Sequence, residues 1–568
     1  EANRLGCEAV GIDLNPAACL ISRVSTAPID PSDFHACAHA LLDQWRPHLE
    51  HAYGSGQLDQ VRHCVHAVLV RCGGCEAEVV ATECRRQGRG YHCPRCDRRL
   101  SFGMRVALGT RAVAISRGKG PLCRDPAMLA SQQRAASLHV GPEGAGPFLD
   151  QPFVHNARVL AHEGLSLSKL FTPRNFSLLN LLLAPIRSLQ EGALRDSVML
   201  WFTSAIASCS RLVPYRDNMR GGGPAWSVPG FWVPPVHMER NPGLHLAARI
   251  QKFERGLAEL RARRSVNRVE VVRGDCVEQM QAMGDRGEKF DLVFADPPYG
   301  DSVPYLEFSQ LWNPWIEPGQ PPRFEAEIVV SDRRQQPSDW LRYGRGLRRA
   351  FMAAVSLLRE GGHLCLTFNN LEPAVWELLV AGLQESGLWC ERVVYQLPAV
   401  ISAKAAFSPG GSYVGDLFAV YRRRHERDLP RDEQWLEQRL AEVRALRGGV
   451  VSRVTQMRSA SISILEGNLP ARSFAALASG LGDLPSRSAS LPRSSEMYRR
   501  MRGCLMSALT DTATEPGELL GRCADVLPVW APPDLYQMQA ILEDIGAQRQ
   551  RGGRFCAAKA RHHGASPG

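Results

Sequence analysis

From Val269 to Tyr421 short apolar strands alternate with helical stretches, and this alternation restricts the fold more than any other feature of the chain. Val269 to Arg273 reads as a strand, Glu278 to Met283 as a helix, Phe290 to Phe294 as a strand, Leu347 to Leu358 as a helix and His363 to Phe368 as a strand. A helix from Pro373 to Ser386 and two strands, Cys390 to Leu397 and Tyr413 to Tyr421, complete the series. Strands separated by helices at that spacing predict βαβ units and a mostly parallel sheet, hence an α/β fold. The last two strands are expected to be antiparallel because they lie close in sequence after the final helix. A further α/β element opens the chain, where the strand Ala9 to Asp13 leads through Asn15-Pro16 into the helical stretch Ala17 to Arg23.

The 568 residues correspond to three or four folding units at about 150 residues each. A chain that is 44% hydrophobic and 22% charged is neither wholly disordered nor collagen-like nor embedded in a membrane. Its most apolar window, Val198 to Cys209, falls short of the ~20 residues that span a bilayer and predicts a buried helix. Seventeen cysteines without an obvious pairing pattern indicate a reducing, cytoplasmic compartment, with free thiols and one metal site. The net charge of +10 favours polyanionic partners. Only six of the 68 Lys and Arg residues are lysines, a bias that reflects GC-rich coding as much as phosphate binding, so the positions of the arginines matter more than their total.

The sharpest chemical signal is Phe290-Asp-Leu-Val-Phe-Ala-Asp296-Pro297-Pro298-Tyr299-Gly300. A buried strand running into an acid places the carboxylate at the carboxyl end of a parallel strand, where open α/β sheets hold their ligands. Consecutive prolines carry no N–H, so their carbonyls are expected to face the cleft as unpaired acceptors. Asp296 and the Pro297 carbonyl can then accept both N–H bonds of an exocyclic amine, while Tyr299 supplies a face for stacking on a base lifted from a duplex. The plainer reading of the same residues is a strand-to-loop turn.

A second constellation is Cys72-Gly-Gly-Cys75 followed by Cys93-Pro-Arg-Cys96. Two C-x-x-C knuckles separated by seventeen residues match a four-cysteine zinc ribbon, in which four thiolates close the coordination sphere and the metal is structural. Cys84 and His92 are alternative ligands at poorer spacing, and unliganded or redox-active thiols are the competing account. Arg71, Arg85, Arg86, Arg89, Arg95, Arg98 and Arg99 crowd the module, as phosphate contacts or as a solvated basic face.

The Asp-Pro-Pro-Tyr tetrapeptide resembles the hallmark of amino-methyltransferases. With Gly11-Ile-Asp-Leu-Asn-Pro16, Leu170-Phe-Thr-Pro-Arg174, Gly230 to Pro242, Asp296 to Tyr305 and Leu311-Trp-Asn-Pro-Trp315, the chain resembles bacterial adenine-specific DNA methylases that carry a zinc ribbon, from residue 1 to about Tyr421. The resemblance implies a Rossmann-like sheet dependent on S-adenosylmethionine, interrupted by the ribbon and a helical region. It implies DNA as the partner, no membrane, and direct methyl transfer to adenine N6. Catalytic Asp296, Pro297, Pro298 and Tyr299 follow from it, as do cofactor contacts from Asp13 to the ribose hydroxyls and from Asp275 to the adenine amine. Phe294 is a candidate for the cofactor pocket, although a core phenylalanine is the better reading, and Asp275 alone would equally be a turn or capping residue.

The resulting division is 1–30, the first part of the methyltransferase fold; 31–105, a helical segment and the ribbon; 106–262, a mainly helical insertion for target recognition; 263–424, the catalytic core; and 425–568, an Arg-rich, partly disordered tail. Residues 106–150 read as loop or weak β-structure. In the insertion, Tyr215, Trp226, Phe231 and Trp232 are candidates for an aromatic clamp, with core and turn packing the favoured alternative. Ser402-Ala-Lys404 and Ser408 to Gly411 form a loop positioned to border a target-base pocket. The family's glycine-rich loop of D-P-F-x-G-x-G type would precede Glu1 and is absent from this chain, so weak cofactor binding is expected. An RNA amino-methyltransferase acting on guanine N2 or adenine N6 and a non-catalytic nucleic-acid-binding remnant are the alternative functions, and cytosine N4 presents a similar amine to the same motif.

Overall fold

A computed structural model describes residues 1–54, 61–88, 90–103, 106–117, 121–137, 150–215, 230–301, 303–331, 338–397, 415–481, 484, 490–509, 514–550 and 554–557. Trp226, Arg89 and the two loop segments between 402 and 411 lie outside them. The chain is mixed α/β with several sheets and divides into two compact units. The first comprises Glu1–Cys276, Pro304–Glu327 and Ser331–Gln335, and the second comprises Val277–Val303, Ile328–Val330 and Gln336–Gly568.

In the first unit, strand β1 (Ala9–Asp13) leads into α1 (Pro16–Thr26) and α2 (Pro31–Tyr53). Each helix starts at a proline preceded by a polar cap: Asn15 accepts from the Ala17 N–H and Asp30 from that of Ser32. Proline suits this first helical position because its φ is already helical and the N–H it lacks would have no partner there. Strands β2 (His63–Arg71) and β3 (Glu78–Val80) lead to the short strands β4 (Arg85–Gln87), β5 (Gly90–His92) and β6 (Arg99–Leu100), which pair antiparallel in that order. Where the sequence suggests loop or weak β-structure, β7 (Ala107–Ser116) pairs along β2 and is followed by α3 (Pro126–Ala136). The glycine and alanine content of that segment masks the strand pattern, and the long partner β2 supplies the ladder that stabilises it.

Helices α4 (Pro173–Arg187) and α5 (Ala193–Ile206) carry the main apolar core of this unit. Val198, Trp201, Phe202, Ala205 and Ile206 are fully buried, as the apolar window predicts. Strand β8 (Val236–Arg240) joins β2, then α6 (Pro242–Ala247) and α7 (Ile250–Arg263) lead to β9 (Val269–Arg273), which pairs parallel with β1.

The second unit is built on a four-stranded sheet, β10 (Phe290–Ala295), β11 (Leu358–Phe368), β12 (Leu388–Gln396) and β13 (Asp416–Arg423), in the order β10-β11-β13-β12. β10 and β11 are parallel, and β12 and β13 are antiparallel, which agrees with the sequence expectation. Helix α8 (Cys276–Asp285) precedes β10, α9 (Ser338–Leu357) connects β10 to β11, and α10 (Pro373–Glu385) connects β11 to β12.

Beyond β13, where periodic signals in the sequence are few, the chain forms α11 (Glu433–Leu446), α12 (Arg453–Glu466), α13 (Arg472–Leu481), α14 (Glu496–Ala508), α15 (Pro516–Asp525) and α16 (Leu535–Asp544). Val443 of α11, Met497, Met501 and Leu505 of α14, Leu520 of α15 and Met538 and Leu542 of α16 form one shared apolar core. The signal is weak because α12 is buried from Val454 to Leu465, polar residues included, and so has no amphipathic stripe to read.

Candidate active site and metal centre

Asp296 follows directly on β10, at the carboxyl end of a strand parallel to β11. Its Oδ1 accepts the Thr367 hydroxyl at 2.7 Å and the Tyr299 hydroxyl at 3.0 Å. Thr367 comes from the carboxyl end of β11, so the parallel register brings the two residues side by side although 71 positions separate them. Among the described residues none donates to Asp296 Oδ2 or to the Pro297 carbonyl. The Pro298 carbonyl departs from the expectation of two unpaired acceptors, because it accepts the Tyr343 hydroxyl at 2.6 Å and the Gly300 N–H at 2.9 Å.

The loop is held on several sides. Gly300 adopts φ +71°, and its N–H also donates to Tyr343 Oη at 3.2 Å while its carbonyl accepts the Val330 N–H at 3.1 Å. Asn370 donates to the Tyr299 carbonyl at 3.0 Å, and Trp376 Nε1 donates to the Asn370 carbonyl at 2.8 Å. The Tyr299 ring stands edge-on to Phe368 at 5.1 Å. Burial, reinforced by the neighbouring Asp296 charge, pushes its phenol well above the ordinary value and keeps it a proton donor.

Sequence reasoning missed Thr367, Asn370 and Tyr343. The first two share a legible signal, polar residues in Thr367-Phe-Asn-Asn370 where an otherwise apolar parallel strand ends. Tyr343 lies in the middle of α9 and only packing reveals it. Phe294 is 58% exposed and so is not a core phenylalanine.

Asp13 and Asp275 belong to the first unit. They stand at and just beyond the carboxyl ends of β1 and β9, and the Gly274 N–H donates to the Asp13 carbonyl at 3.0 Å. Asp13 Oδ1 accepts the Asn15 N–H at 2.7 Å, which ties the acid to the cap of α1.

The Sγ atoms of Cys72, Cys75, Cys93 and Cys96 all lie within 4.8 Å of one another. The two knuckles repeat one geometry. The Glu76 N–H donates to the Cys72 carbonyl and the Asp97 N–H to the Cys93 carbonyl, with Glu76 and Asp97 both at positive φ. The N–H groups of Gly74 and Arg95 donate to the Cys72 and Cys93 sulfurs at 3.4 Å. N–H groups pointing at sulfur stabilise thiolate, and the Gly74 and Cys75 amides pull the Cys72 thiol down to about 6. Such a set suits a tetrahedral metal with no open position. Cys84 is outside the cluster and its thiol donates to the Val80 carbonyl, while His92 Nδ1 meets the Asp97 carbonyl.

The arginines around the four-cysteine group are largely engaged. Arg71 pairs with Glu78, Arg85 with Asp97, Arg86 covers the Tyr91 ring at 4.7 Å, and Arg98 donates to the Gly73 carbonyl. Arg95 and Arg99 are exposed without an ion pair among the described residues. Of the expected aromatic clamp, Phe231 is buried against Phe153 and Trp232 is 43% exposed.

A second group of metal-capable atoms, Cys64, His66 and Glu239, lies at the centre of the first unit. Here Glu239 is already bound by Arg174, with Nε to Oε1 at 3.1 Å, by the Thr172 hydroxyl and by His66 Nε2 at 3.0 Å. The Arg174 guanidinium takes the place of a metal cation.

Comparison with known proteins adds little. No protein-family model and no curated protein sequence matches the chain. Among solved structures, NSun6 from Pyrococcus horikoshii with SFG matches at 20% identity over 31% of this chain and 40% of that one, with a TM-score of 0.16. At that score the likeness carries no argument about fold or function. Among the described residues no helix is long and apolar enough to cross a membrane.

Proposed function

We propose that the chain is a methyltransferase dependent on S-adenosylmethionine and directed at the exocyclic N6 of adenine in DNA. The observation that carries the reading is the pair of open acceptors, Asp296 Oδ2 and the Pro297 carbonyl, on consecutive residues at the carboxyl end of a parallel strand. An aromatic amine offers two N–H bonds to two such acceptors. Accepting both favours pyramidalisation of the nitrogen, so its lone pair becomes available to an electrophilic methyl group, and positioning accounts for most of the rate. Tyr299, half-buried beside the carboxylate, would turn its ring to the base.

The cofactor supplies the methyl electrophile as a sulfonium. The ends of two adjacent parallel strands suit its adenosine, with Asp13 as ribose acceptor and Asp275 near the adenine amine. The four ribbon thiols suit structural zinc. Arg95 and Arg99 on that ribbon support a polyanionic substrate.

Incubating the protein with labelled S-adenosylmethionine and either duplex DNA or structured RNA tests the reading. Incorporation into adenine of DNA, lost in Asp296→Ala with folding retained, is the expected result. Incorporation into RNA alone moves the substrate to the second class, and undiminished transfer by Asp296→Ala overturns the assignment.

A further inference from the structure

We propose that Thr367 and Tyr343 are positioning residues that decide which acceptors of the Asp296 loop remain open to substrate. The inference rests on the amine-transfer reading above. A loop of this kind presents four acceptor groups in a row, the two carboxylate oxygens of Asp296 and the carbonyls of Pro297 and Pro298. A target amine has two N–H bonds, so four open acceptors would let it bind in several orientations, and only one orientation aims its lone pair correctly.

The structure removes two of the four. Thr367 Oγ1 donates to Asp296 Oδ1 at 2.7 Å, and Tyr299 adds a second donor to the same oxygen at 3.0 Å. Tyr343 Oη donates to the Pro298 carbonyl at 2.6 Å and accepts the Gly300 N–H at 3.2 Å, so one hydroxyl closes the loop like a staple. What remains is one carboxylate oxygen and one carbonyl. Both positioning residues are supported from behind. Thr367 is 5% exposed and paired with Phe418 on β13, and Tyr343 is 1% exposed with its ring edge-on to Trp340. Neither carries a charge or a free donor that would itself meet a substrate.

Single-turnover and steady-state methyl transfer by the Thr367→Val, Thr367→Ser and Tyr343→Phe proteins tests this. Thr367→Val and Tyr343→Phe are near-isosteric, and thermal melting checks that each is folded. The expected result is a fall in kcat of about tenfold or more with KM for the nucleic acid little changed, since an interaction that orients the reacting amine contributes in the transition state. Thr367→Ser restores the hydroxyl and should recover most of the rate, which a merely space-filling role would not predict. Wild-type kcat in folded Thr367→Val and Tyr343→Phe overturns the inference while leaving the functional reading in place. Absence of methyl transfer by the wild-type protein on either nucleic acid overturns the functional reading and this inference with it.

Discussion

Arg174 and Glu239, on segments 65 residues apart, form an ion pair in which both side chains are buried to 1% exposure or less. They belong to two of the sequence motifs, Leu170 to Arg174 and Gly230 to Pro242. Thr172 caps α4 by accepting the Asn175 N–H and also donates to Glu239, and Asn175 donates to the Arg240 carbonyl at 2.9 Å. These motif residues therefore join α4 to β8 rather than forming a site. Burial by itself would raise the Glu239 carboxyl, but Arg174 and His66 outweigh it and hold it well below the usual carboxylate range.

Removing one partner leaves the other charge buried and uncompensated. Glu239→Gln should therefore destabilise the first unit by about 3–5 kcal/mol, measured by denaturant unfolding. The pair also makes stability depend on pH. A carboxyl whose folded value lies below its unfolded value contributes fully above the ordinary value of 4.5, and the contribution is lost as pH falls toward the folded value. Wild-type stability should fall on acidification below that point, and the slope should be shallower in Glu239→Gln.

The four-thiol cluster predicts one zinc per chain by elemental analysis. Cys93→Ser should lose the metal, and a chelator should lower the melting temperature of wild type but not of the variant, because metal affinity is folding free energy in a module with so small a core.

Gly300 holds the turn after the two prolines at φ +71°, and an added Cβ would lie 3.2 Å from Trp340 and 3.3 Å from Val375. Gly300→Ala should cost about 1–2 kcal/mol for the left-handed backbone alone. It should lower methyl transfer more than that loss of stability explains, since the displaced turn carries Tyr299.

Helices α11, α14, α15 and α16 share an apolar core in which Met501 and Met538 are fully buried. Met501→Ala should destabilise the second unit by about 2–5 kcal/mol, read as a shift of the urea midpoint. An unchanged midpoint would mean that these helices add nothing to its stability.

Local chemistry was readable from sequence wherever it depends on neighbours along the chain. Alternating apolar runs identify β9 to β13, polar-Pro pairs such as Asn15-Pro16 and Thr172-Pro173 mark helix starts, and C-x-x-C spacing identifies the knuckles, because backbone geometry there follows from a few adjacent residues. The Asp-Pro-Pro-Tyr run likewise marks its own candidate site.

Contacts between distant segments were decided by the tertiary structure alone. The sequence shows two prolines without N–H groups, but only packing shows that Tyr343 takes one of their carbonyls and that Thr367 takes one Asp296 oxygen. It shows Thr-Pro-Arg and Met-Glu-Arg, but only the fold turns them into a buried charge pair. The burial of α12 is of the same kind, since burial on all sides erases the amphipathic pattern that reveals a surface helix. Chain proximity sets which groups are present, and close packing of segments far apart in sequence sets which of their hydrogen-bonding atoms are left open for chemistry.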